Sequence, residues 1–189
     1  HGSMPLTAIQ LMNQMNSKYL FILCLALLAN PFLSFAQGST LSEEPKIFPK
    51  DIASLSGNYT GTLMYVDYTS GNPFTMRADL IIEPGKNEYA LTLKNIYPTE
   101  PKANNKTKFS ISKDGRSING KTIISREANE LSETMFTVEY AGKDGNDGKK
   151  ATIRSIYAIA DDSFVIRKKV KFLDQDDWIL RNEFKYQRE

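Results

Sequence analysis

From Tyr59 to Arg188 apolar and polar residues alternate with a period of two, the pattern of half-buried strands and not of helices. In the stretch 74–83, Phe74, Met76, Ala78, Leu80 and Ile82 share one face, with Thr75, Arg77, Asp79 and Glu83 on the other. Clusters of turn-forming residues interrupt the pattern at 70–73, 84–87, 114–115, 142–150, 161–163 and 174–177, a loop with Pro98 and Pro101 interrupts it after residue 97, and a short break falls at 127–130. Between them the alternation predicts strands near 59–68, 74–83, 88–97, 107–112, 117–126, 131–140, 151–159, 164–173 and 178–188. Gly120 is expected to form a bulge within the fifth. A short helical turn is expected over 51–56, capped by Asp51 and plugging one end.

Short sequential connections favour an up-and-down meander. About eight to ten antiparallel strands of this length close into a barrel and so remove exposed edges. The expected fold is therefore all-β, an antiparallel up-and-down barrel with a short N-terminal helical turn. The charged face decides the solvent. Arg167, Lys169 and Lys171, like Arg181, Glu183 and Lys185, alternate with Phe164, Ile166, Val170 and Phe172 or with Leu180, Phe184 and Tyr186. A membrane-spanning barrel would turn its apolar face outward, where a charge costs about 2–4 kcal/mol near the bilayer midplane. The pattern instead predicts aromatic residues inside and charges outside.

Composition divides the chain into four parts. Residues 1–14 combine His1-Gly2-Ser3, which has the look of an expression-tag scar, with an uninformative upstream stretch. Residues 15–36 have the layout of a secretory signal peptide: Met15, the positive Lys18, an apolar run from Tyr19 to Ala29, and Ser34-Phe35-Ala36 before Gln37. That run is far shorter than the roughly 20 residues needed to span a bilayer. Residues 37–56 form a polar tether and the helical turn, with Ile47 and Phe48 as anchors; residues 57–189 form the barrel domain. Cys24 lies inside the apolar run, where it reads as a small hydrophobe. Cleavage before Gln37 leaves a chain without cysteine or histidine, with 23 of the 24 basic residues against 22 acidic ones. An exported, disulfide-free chain fits a Gram-negative periplasm, or secretion. Its near neutrality argues against nucleic-acid partners.

The opening Gly57-Asn58-Tyr59 and the closing Phe184-Lys185-Tyr186-Gln187-Arg188 resemble the ends of the calycin group, the lipocalins and fatty-acid-binding proteins. Those families begin with Gly-x-Trp on the first strand and close with an aromatic or arginine packed against it; here Tyr59 replaces Trp. The chain also looks like the lipocalin-like exported proteins of Gram-negative bacteria. The resemblance implies a lipocalin-like barrel with a ligand lumen. It also implies a structural clasp of Gly57, Tyr59, Tyr186 and Arg188.

Missing residue types narrow the chemistry. Without His or Cys in the barrel, no Ser-His-Asp or Cys-His nucleophile can be assembled, and the common zinc, copper and thiolate sites are excluded. Asp144 to Gly148 and Asp174 to Asp177 superficially suggest calcium loops, but the first lacks the glutamate an EF-hand needs, and both fit hairpin turns. No metal or cofactor is expected. By parity Tyr59, Tyr65, Tyr89, Tyr97, Tyr140, Tyr157, Trp178 and Tyr186 point inward, joined by Lys168 and Asn182. An inward lysine needs a partner. That partner is either an anionic ligand or water at an open end, unless a bulge in the eighth strand flips the parity.

The leading expectation is a non-enzymatic exported barrel that binds a small, partly apolar or anionic ligand through Tyr65, Tyr89, Tyr97, Tyr140, Tyr157, Lys168, Trp178 and Asn182. The alternative is a packed barrel acting as a structural or protein-interaction module. A third reading, an enzyme using Tyr, Lys and carboxylates for isomerase-like acid–base work, gains support if an inward carboxylate stands within hydrogen-bonding reach of Lys168.

Overall fold

The computed structural model describes residues 44–129 and 133–189. The expected tag scar, the expected signal peptide with Cys24, residues 37–43 of the expected tether, and Leu131 and Ser132 of the sixth expected strand lie outside the described residues. Helix α1 (Pro49–Ala53) leads into β1 (Gly57–Val66), β2 (Pro73–Arg77), β3 (Asp79–Pro84) and β4 (Ala90–Ile96). A 3-10 turn at Pro101–Ala103 precedes β5 (Asn105–Ser110), β6 (Ser117–Ile118) and β7 (Lys121–Ala128). The chain finishes with β8 (Thr134–Asp144), β9 (Lys149–Ile159), β10 (Ser163–Phe172) and β11 (Ile179–Arg188).

Every strand pair is antiparallel, in the order β5-β4-β3-β1-β11-β10-β9-β8-β7-β6, with β2 also on β1. The seam between first and last strands runs from Tyr59 opposite Arg188 to Tyr65 opposite Asn182. At the other end a bridge between Ile111 and Ile118 joins the β5 side to β6. The result is the expected all-β meander, a nearly closed barrel consistent with a lipocalin-like one.

Three local details depart from the simple alternation. The second strand breaks at Ala78 into β2 and β3, although the register on β1 is unchanged across the break. The fifth contains no bulge at Gly120. Asn119 and Gly120 have φ of 50° and 71° and turn the chain between β6 and β7. Positive φ at both central residues is what a two-residue hairpin of this hand requires, and Asn-Gly supplies it. Finally, β8 and β9 extend to Asp144 and from Lys149, so the expected nine-residue loop shrinks to residues 145–148.

The barrel has two unequal tiers. Strands β4 and β5 rise no higher than Asp79, which faces Ile96, and β7 meets β8 no higher than Val138. The lower tier is thus walled all round. Above it stand β2, β1, β11, β10, β9 and the end of β8, a curled sheet whose two edges have no strand partner among the described residues. The lower interior is filled: Phe109 meets Tyr157 edge-on at 5.2 Å and Phe164 at 6.2 Å between ring centroids. Leu80, Ile118, Phe136 and Val138 are fully buried around them.

Helix α1 closes the base. Its five residues are too few to be stable alone, so packing holds it: Ile47, Ile52 and Leu55 are buried in the same core. Asp51 accepts the Phe48 amide at 2.7 Å and pairs with Arg126 at 2.9 Å. Phe48 itself stays exposed, so of the two expected anchors Ile47 carries the burial.

Candidate functional site

A one-residue bulge in β11 creates the chemistry of the upper tier. Lys168 stands opposite Asn182, but Lys169 stands opposite Leu180, which leaves Arg181 as the extra residue. A slip of one residue sends every following side chain to the other face. Arg181 therefore turns inward beside Lys168, and Ile179 packs against Val170, Phe172, Ala151 and Ile153. The same slip corrects the expectation for Trp178. It lies outside the barrel, 4.1 Å from the Arg154 guanidinium and 5.6 Å from Lys171 across its ring.

The two inward cations share one carboxylate. Asp144, at the tip of β8, accepts Lys168 Nζ at 2.6 Å and the Tyr68 hydroxyl at 2.9 Å on Oδ1. Its Oδ2 accepts Arg181 Nε at 2.8 Å. The Asp144 side chain is 1% exposed, against 28% for Lys168 and 13% for Arg181. Arg181 also lies 4.8 Å from the Tyr68 ring and 5.7 Å from the Phe172 ring. Asp144 faces Lys149, and Ala151 faces Phe172, so Asp144 lies several residues beyond Lys168 along the strands. Strand tilt and coil in the curled sheet bring them together.

Burial alone would raise the Asp144 pKa. The hydrogen bonds from Lys168 and Tyr68 and the charges of Lys168 and Arg181 outweigh it and hold the carboxyl below its usual range. The Tyr68 phenol is pushed up, first by burial and then by its bond to Asp144. Sequence reasoning assigned Asp144 to a turn because of its neighbours Gly142 and Gly145. The alternation Phe136, Val138, Tyr140, Gly142, Asp144, continued two steps further, puts it on the inner face.

Below this cluster the inner face is apolar and half-exposed. Tyr65 stands opposite Asn182 on one side and Phe74 on the other, with the Tyr65 and Phe74 rings 5.4 Å apart. Ile166 and Phe184 face each other and border the lower core. Phe74 is 51% exposed, contrary to its place on the apolar face of the second strand. Its parity is right, but no wall stands opposite it in the upper tier.

The remaining predicted positions are dispersed. Tyr140 is half-buried under Lys121, whose Nζ is 4.6 Å from its ring. Tyr157 is buried, and burial raises its pKa against hydrogen bonding to Asn119 and Ser155. Tyr97 is buried at the end of β4. Tyr89 sits in the turn before β4, at the base, where its carbonyl accepts the Ile111 amide at 2.9 Å. Lys168, Asn182 and Tyr65 are thus together in the upper tier, while Tyr89 is at the opposite end.

At the base, Arg188 ties the closing strand to the opening one. Its Nη1 donates to the Ser56 carbonyl at 2.9 Å, and its Nη2 to the Ser54 carbonyl and to the Tyr59 hydroxyl at 2.6 Å. The Tyr59 hydroxyl in turn donates a hydrogen bond to the Leu55 carbonyl at 2.9 Å. A Cβ on Gly57 would lie 2.5 Å from Arg188 Nη1, so glycine makes room for the guanidinium. Tyr186 stacks on Phe184 and Phe164 just inside, and burial, then Tyr97 and Asp79, push its pKa far up.

Surface clefts lie elsewhere. One of about 760 Å³ follows the outer face past Thr60, Thr62, Thr75, Val165, Lys185 and Gln187. Two of about 490 and 450 Å³ flank the β3–β4 turn. Among the described residues no three His, Cys, Asp or Glu side chains converge as a metal site would require, and no helix is long and apolar enough to cross a membrane. Comparison with known proteins finds no matching family model and no matching curated protein.

Proposed function

We propose that this is a non-enzymatic binding barrel whose ligand-facing surface is the inner face of the upper tier. The ligand is a small amphipathic molecule carrying a negative charge. One observation carries the reading: Lys168 and Arg181 turn inward with a single carboxylate between them, directly above the half-exposed Tyr65, Phe74, Phe184 and Ile166. Half-buried cations in excess of carboxylates attract an anion, and the aromatic strip offers the apolar contact that small-molecule sites use. The inward Asp144 within 2.6 Å of Lys168 is the arrangement that favours acid–base catalysis, but both groups are engaged with each other and the carboxyl is held below its usual range, which makes it a poor proton acceptor.

The anionic aromatic probe 8-anilinonaphthalene-1-sulfonate tests the reading. It is expected to bind the native protein saturably at one site, and several-fold more weakly to Lys168→Gln. Trp178 lies on the outer face and is not the reporter to follow. Absence of saturable binding, together with no bound mass in native mass spectrometry after exposure to a lipid extract, refutes the reading. The filled lower tier supports the alternative, a packed barrel acting as a structural or interaction module, which predicts that negative result.

The same proposal includes export to a Gram-negative periplasm or beyond, supported by the layout of residues 15–36. It also includes kinship with the calycins, supported by the Gly57–Tyr59 opening and its contact with Arg188. N-terminal sequencing of exported material should begin at Gln37; a chain still starting at Met15 contradicts it.

A further inference from the structure

Asp144 belongs to the β8–β9 hairpin, but the groups that hold its carboxylate belong to other elements. Tyr68 follows β1, Lys168 is in β10 and Arg181 is the bulged residue of β11. Two donors converge on one oxygen and a third on the other, which is a receptor for a two-oxygen anion whatever its source. The hairpin that fills the receptor is anchored along β9, which pairs with β10 as far as Ala151 opposite Phe172 and whose Lys149 pairs with Asp174 at 2.8 Å. Beyond Val138, β8 has β9 as its strand partner and nothing on its other edge among the described residues. Its four-residue turn contains Gly145 and Gly148 at φ of 83° and 62°.

We propose that Asp144 is an internal stand-in for a ligand carboxylate, which displaces it from Tyr68, Lys168 and Arg181 and lays its apolar chain along Ile166, Phe184 and Tyr65. This rests on the binding function proposed above and names its ligand class, an apolar monocarboxylate. Exchanging one carboxylate for another leaves the charge around Lys168 and Arg181 unchanged, so no buried cation loses its partner. The displaced Asp144 regains water beside the exposed Asn146 and Asp147. Because the ionic contacts nearly cancel, affinity comes from the apolar chain, and the wild-type protein holds its ligand weakly.

Calorimetric titration with dodecanoate and with dodecanol, on the wild type and on Asp144→Asn, tests the exchange. Removing the competing carboxylate should tighten dodecanoate about tenfold or more and leave dodecanol unchanged. Equal dodecanoate affinity in the two proteins overturns the exchange while leaving the binding function standing. No binding of either probe to either protein overturns both. If Asp144→Asn does not fold, the wild type decides alone, through the Asp144 carboxyl followed by NMR. Saturating dodecanoate should return its titration to the ordinary aspartate range; an Asp144 that still titrates low with dodecanoate bound refutes the displacement.

Discussion

Replacing Arg188 with methionine keeps most of the side-chain stem and removes the guanidinium, which isolates what the fork contributes to the seam between β1 and β11. The bonds to the Ser56 carbonyl at 2.9 Å and the Tyr59 hydroxyl at 2.6 Å are half-buried. Charged hydrogen bonds of this kind contribute about 1.5 kcal/mol each at the low end of their range. The bonds to Ser54 and Asp161 are solvent-exposed and add little. The expected loss for Arg188→Met is therefore about 3 kcal/mol. With a urea slope of about 2 kcal/mol per molar for a domain of this size, the midpoint should fall by about 1.5 M. Arg188→Lys should recover no more than about half, because a single ammonium cannot span two carbonyls and a phenol. Equilibrium urea unfolding followed by far-UV circular dichroism measures both. A loss under about 1 kcal/mol for methionine, or full recovery by lysine, would refute the assignment of the seam to this fork.

Three further outcomes follow from the same geometry. Gly57→Ala places a methyl 2.5 Å from Arg188 Nη1 at a φ of 153°, and should cost about 2 kcal/mol, less once Arg188 is methionine; urea melts of the double-mutant cycle measure the coupling. Asp144 has a lowered folded-state pKa, so its stabilisation is complete above the usual aspartate range and disappears as pH falls through the folded value. Asp144→Asn should thus be about 2 kcal/mol less stable than wild type from about pH 5 upward, with the gap closing below about pH 4 in melts across that range; a gap that widens in acid contradicts the ion pairing. Phe109→Ala should cost about 3–5 kcal/mol by emptying the lower tier, whereas Phe74→Ser, with no wall opposite it, should cost under about 1 kcal/mol; comparing their thermal midpoints decides.

The period of two was enough to place the strands, their faces and the meander, because each strand buries one face and the charges mark the other. It also put Lys168 on the inner face. It could not show that Arg181 turns inward and Trp178 outward. Those two positions depend on a single extra residue in β11, and nothing in the local composition marks a bulge there. Asn119-Gly120 was readable in principle, since that dipeptide is a strong short-range hairpin signal. Asp144 was hidden by glycines that suit a turn and equally suit a tightly packed strand end: a Cβ on Gly142 would meet Ile153 at 2.5 Å. The division into two tiers is a property of pairing lengths, namely where β4 and β7 stop, and a strand's own sequence does not state where its neighbour ends.

The seam closed by Tyr59 and Arg188 joins residues 129 positions apart, whereas the other ladders are mostly hairpins between neighbours in sequence. Folding can therefore build most of the sheet from local contacts and must then close one very long loop, whose entropic cost is met before the β1–β11 ladder returns any free energy. The slow step expected from this topology is the closing of that loop, with the hydrogen bonds of the Arg188 fork formed once its ends have met. Substitutions in the fork should consequently speed unfolding far more than they slow folding. The clasp then governs how long the barrel stays shut, and has little influence on how quickly it forms.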